Sequence, residues 1–72
     1  MPTQERKGRP DGAAIARLRA GRDWTQVELA ALAGLSPATI ASLEQGRYAT
    51  TSSAVLAPLA AALGCQVEDL LT

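Results

Sequence analysis

Between Thr25 and Gly46 the chain alternates helix starts and helix stops so closely that only short helices fit. Thr25 and Glu28 spell a capping box, in which the threonine hydroxyl accepts from the backbone N–H three residues on and the glutamate accepts from the threonine's own N–H. Trp24 before the cap and Leu29 one turn in form the accompanying hydrophobic staple pair. Gly34 supplies the left-handed residue that ends this helix. After Leu35 the dipeptide Ser36-Pro37 restarts one, with serine as the cap and proline at the first helical position, where its missing N–H costs nothing. Gly46 is the next stop. The pattern predicts helices over residues 26–33 and 37–45, joined only by Gly34, Leu35 and Ser36.

The flanking segments read the same way. Asp11 is a reasonable N-cap for a helix to about residue 22, with Ala14, Ile15 and Leu18 toward one face and Arg19 and Arg22 in the last turn, where cations favour the helix dipole. Ile40 and Leu43 form the inward stripe of the 37–45 helix. Residues 47–53 are a polar connector, and a fourth helix runs to Leu63 with Gly64 as its stop. With Ser52 or Ser53 as cap, Pro58 lies past the first turn, so a kink or a later start is expected. Val67, Leu70 and Leu71 suggest a short last helix capped near Gln66. Residues 1–10, with two prolines, a glycine and alternating charge, read as a mobile basic arm, leaving 11–72 as the folded domain. One small domain is all that 72 residues hold. Strand formers are scarce (one Tyr, one Trp, no Phe), so the expected class is all-α, a compact bundle of four to five short helices. Alanine-rich helices bury little apolar area, so they must pack very closely or borrow surface from a partner.

Several function classes fall away. With Cys65 as the single cysteine no internal disulfide forms, which suits a reducing cytoplasm, and this thiol is expected in the core. Histidine is absent, which removes zinc sites of the usual kind and the Ser–His and Cys–His nucleophile arrangements. No acid, base and nucleophile cluster is evident, so an enzyme is not expected, and neither is a cofactor or a small-molecule ligand. No apolar run is long enough to cross a membrane, and the polar residues 1–10 do not read as a signal peptide. The net charge is zero but uneven: residues 1–22 hold six cations against two acids, and residues 23–72 hold one cation against five acids. A phosphate responds to the local field, so the basic first third is compatible with nucleic acid.

Two short helices on a three-residue connection, the second free to enter a major groove, are the layout of a helix-turn-helix. From Leu18 the chain reads L-R-x-x-R-x-W-T-Q-x-E-L-A-x-x-A-G-L-S-x-x-T-I-x-x-L-E-x-G-R, and continues with L-A-x-x-L-G from Leu59 and V-E-D-L from Val67. This pattern resembles the lambda repressor-like family, the Cro/repressor or xenobiotic-response-element type of helix-turn-helix, over about three quarters of the chain. The resemblance implies a homodimeric transcriptional regulator that reads an inverted repeat in double-stranded DNA through its third helix. It implies that Gln26 bonds a DNA phosphate, the alternative being an exposed first-turn residue, and that Arg19 and Glu44 form a buried structural ion pair, the alternative being two unrelated surface charges.

The DNA-facing candidates at the start of helix three are Ser36, Pro37, Ala38 and Thr39, with Ala41 and Ser42 one turn on. None makes the bidentate bonds that best distinguish bases; Ala38 offers a methyl contact, Thr39 and Ser42 single bonds. Arg47 and Tyr48 stand where relatives contact the backbone, although Arg47 reads equally as an ordinary last-turn cation. Arg6, Lys7 and Arg9 suit either a DNA-following arm or a solubilising tail. The second function class, a protein-interaction module of antitoxin or adaptor type, draws on Val27, Ala31 and Leu32, which are apolar where the family commonly carries polar groups. The expected dimer surface is the end from Val67 to Leu71 together with helix four.

Overall fold

A computed structural model describes residues 9–48 and 50–72 of the chain. Within them lie α1 (Gly12–Ala20), α2 (Gln26–Ala33), α3 (Pro37–Glu44), α4 (Ser53–Leu63) and one 3-10 turn, Val67–Leu70. The starts follow the caps. Asp11 accepts from Ala14 N at 3.1 Å. The Thr25–Glu28 box is closed in both directions, at 3.1 and 2.8 Å. Ser36 accepts from Thr39 N at 3.1 Å. Gln66 N donates to Asp69 at the start of the final turn. Gly34 ends α2 at φ 71°, in the left-handed region open to glycine without a Cβ penalty.

Three boundaries differ from the sequence expectation. Helix α1 stops at Ala20 and not near residue 22, because the chain turns through Gly21 to Asp23, where Asp23 takes φ 60°. Arg22 therefore lies off α1. Its guanidinium donates to Leu63 O at 2.8 Å and sits 5.3 Å from the Trp24 ring centre, so it serves the C-terminal carbonyls of α4. Helix α4 starts at Ser53 and runs through Pro58 without interruption. The bond that proline forfeits would have gone to the carbonyl of Ala54, an exposed residue that water can satisfy. The described part of the expected arm, Arg9 and Pro10, is tied to the other terminus: Pro10 is buried and pairs antiparallel with Leu71. Residues 1–8, with Arg6 and Lys7, lie outside the described residues.

One core joins the helices: Ile15 from α1, Leu29, Ala30 and Ala33 from α2, Ile40 and Leu43 from α3, Leu56, Leu59, Ala60 and Leu63 from α4, and Leu70. Small residues make close approach possible. At Gly12 an added Cβ would overlap Leu43 O and stand 2.7 Å from Glu44 O, so the start of α1 rests directly on the backbone that ends α3. Among the described residues no buried side-chain polar atom lacks a partner. Cys65 is half-buried at the edge of this core. Burial pushes its thiol up, Asp69 adds to this and Arg22 opposes it, which favours the protonated form.

Candidate nucleic-acid interface

The chain bends by 115° between α2 and α3. The two helix starts on either side of that bend lie at the surface, with Thr25, Ser36, Pro37 and Ala38 exposed. At the first start, the capping box uses the N–H groups of Thr25 and Glu28. The N–H groups of Gln26 and Val27 have no partner among the described residues, so two donors and the positive end of the helix dipole are available to an anion.

The Gln26 side chain is not free in solvent. Its Nε2 donates to Glu44 Oε1 at 3.0 Å. Glu44 is held in turn by Arg19, whose Nε donates to Oε2 at 2.7 Å and Nη2 to Oε1 at 3.0 Å. The third guanidinium nitrogen of Arg19 donates to Trp24 O at 2.7 Å. The side chains of this pair are 19% and 7% exposed, so water screens them only partly. Burial alone would raise the Glu44 carboxyl, but the hydrogen bonds from Arg19 and Gln26 and the Arg19 charge outweigh it and hold the group below its ordinary range. The hydrogen bond to Glu44 likewise raises Arg19, against the effect of burial.

On α3, Ser36, Pro37 and Ala38 are exposed, while Thr39, Ala41 and Ser42 are half-buried. The Thr39 hydroxyl is 2.9 Å from that of Ser36, so the two share one hydrogen bond and neither presents a full set of free donors and acceptors. Arg47 and Tyr48 are exposed, Tyr48 at 38%. Because Glu44 is bonded to Gln26, the chain that leaves α3 toward Arg47 starts beside the first turn of α2. Sequence reasoning named Gln26 and Glu44 but missed three contacts here. The bond from Gln26 to Glu44 spans 18 positions, Arg22 crosses to α4, and Gly12 reads as an ordinary glycine; no local pattern marks any of them.

Elsewhere on the surface, Val27 and Leu32 are 62% and 58% exposed. Trp24, Glu28, Ala31 and Leu32 line a shallow groove of about 320 Å³. The described residues contain no grouping of acids and thiols able to hold a metal ion, and no single helix long and apolar enough to cross a membrane.

This arrangement defines a small helix-turn-helix domain, with the start of α2 beside the end of its second helix, α3. The helix-turn-helix family model matches residues 15–70, and the chain belongs to that family, in its lambda repressor-like branch. It is 37% identical over 62 residues to RghRB of Bacillus subtilis (strain 168), described as an uncharacterized HTH-type transcriptional regulator; the match takes in 86% of this chain and 45% of that relative. The chain thus spans less than half the length of that protein. Among solved structures it is similar to SinR, a master regulator for biofilm formation crystallised in complex with DNA, with 28% identity, a TM-score of 0.78 and coverage of 83% of this chain and 98% of that one. A hydroxyethylphosphonate dioxygenase variant carries a similar unit, with 26% identity and a TM-score of 0.75, over 89% of this chain and 14% of its own. The fold by itself does not fix the use.

Proposed function

We propose that the chain is a DNA-binding transcriptional regulator, without enzymatic activity, that works in the cytoplasm as a homodimer on an inverted repeat of double-stranded DNA. The observation that carries this reading is the α2–α3 geometry: a 115° bend with the start of α3 exposed beside it. The unpartnered amides of Gln26 and Val27, the Gln26 side chain and Arg47 supply phosphate contacts, which set register and affinity. Ser36, Pro37, Ala38, Thr39 and Ser42 face the bases, and Tyr48 joins Arg47 at the backbone. Base discrimination is then weak, resting on the Ala38 methyl, single hydroxyl bonds and duplex deformability. The relationship to RghRB and the likeness to DNA-bound SinR support the assignment.

The dimer surface proposed here is the outer face of α4, where Ala54, Ala57 and Ala61 are exposed and no residue is charged. The expected contribution of Leu70 is corrected: it is fully buried in its own core, and its carbonyl accepts from Asp11 N. A second reading, a protein-interaction module, is favoured by the exposed Val27 and Leu32. Titration of duplex DNA at rising salt separates the two. Affinity should fall linearly on a log–log plot, and Gln26→Ala and Arg47→Ala should each weaken binding to all duplexes by about tenfold while the fold is kept. Binding that ignores salt and both substitutions would move the assignment to the interaction module.

A further inference from the structure

We infer that Glu44 is a positioning residue for Gln26, and that Arg19 cancels the charge this role would otherwise bring to a phosphate site; the inference rests on the DNA-binding reading above. A glutamine at a helix start is long and rotamer-rich, and ordering it on binding costs affinity. Here the ordering is done in advance, because Nε2 is already bonded to Glu44 Oε1 at 3.0 Å. A carboxylate also settles which end of the amide turns inward: the nitrogen faces Glu44, since the amide oxygen would be repelled. One N–H is used, and the second remains for an anion, next to the free backbone N–H groups of Gln26 and Val27.

A lone carboxylate at this place would repel the phosphate it helps to capture. Arg19 removes that conflict with two hydrogen bonds to the same carboxylate, at 2.7 and 3.0 Å. Its third nitrogen holds Trp24 O at 2.7 Å and so fixes the turn that leads into α2. The three side chains come from α1, α3 and α2, so the aim of Gln26 depends on how all three helices dock.

The test is a double-mutant cycle in the full chain, with Gln26→Ala, Glu44→Ala and the double variant titrated with mixed-sequence duplex DNA at low salt, below each variant's unfolding transition. Glu44→Ala should lower affinity about tenfold in the wild-type background and less than about twofold once Gln26 is alanine. Glu44→Gln, which keeps an oxygen acceptor for Gln26, should recover most of the loss. Losses that simply multiply would overturn the inference, since a merely structural Glu44 acts equally in both backgrounds. Should Glu44→Ala fail to fold, the free protein still decides by NMR: the Gln26 side-chain amide resonances must move in Glu44→Gln, and unchanged resonances sink the inference. A wild-type chain that binds no duplex would instead overturn the DNA reading, while the NMR result reports on the Gln26–Glu44 bond alone.

Discussion

Gly12 sets two residue-level rules against each other. It opens α1 and is buried. Helix propensity alone favours alanine over glycine by about 1 kcal/mol in a helix interior. Packing says the opposite, because the new Cβ would meet the carbonyl oxygens of Leu43 and Glu44, which are backbone atoms and cannot swing away. Overpacking of this sort costs about 1–3 kcal/mol. The expected outcome is that Gly12→Ala lowers stability by about 2 kcal/mol in urea unfolding; a gain would mean that α1 can draw back from α3 freely. The capping box at Thr25 was legible in the sequence because its partners are three positions apart. The role of Gly12 was not, because its neighbours are more than thirty positions away and exist only once α1 and α3 are docked.

At the scale of elements, the tie among α1, α2 and α3 runs through one titratable group. The folded-state pKa of Glu44 lies below its ordinary 4.5. As acid is added, the unfolded chain therefore takes up this proton first. The stabilisation is complete above about pH 4.5 and is lost as the pH falls through the depressed folded value. Comparing urea midpoints at neutral pH and near pH 3, wild type should lose more stability than Glu44→Gln, whose side chain cannot ionise; equal losses would show that the pair contributes nothing to acid sensitivity. Family resemblance made Arg19 and Glu44 readable as partners. Gln26 as a third member was hidden, since its position at the start of α2 suits an exposed residue equally well. Element types and most boundaries followed from caps and glycines. The end of α1 did not, because the chain turns through Gly21 to Asp23 and Arg22 bonds the Leu63 carbonyl, a partner 41 positions away that no local pattern marks.

For the whole molecule, the two termini of the described chain close on each other. Arg9 O accepts from Thr72 N at 2.9 Å, and Asp11 N donates to Leu70 O at 2.8 Å. Pro10 lies between them, opposite Leu71. A proline is tolerated there because the bonds on either side use the groups of Arg9 and Asp11, and the proline position calls for no N–H. Asp11 thus has two duties, pairing with Leu70 and capping α1 through Ala14. The sequence pattern marked only the cap, which is why residues 9 and 10 read as arm. Chains beginning at Arg9 and at Asp11 isolate the contribution of Arg9 and Pro10, since both retain the cap and a donor to Leu70 O. The shorter chain loses the backbone bond to Thr72 and the burial of Pro10, together about 2 kcal/mol. For a domain of this size that corresponds to a thermal midpoint lower by about 10 °C. Coincident melting curves would place the start of the folded unit at Asp11 and leave the clasp without a stabilising role.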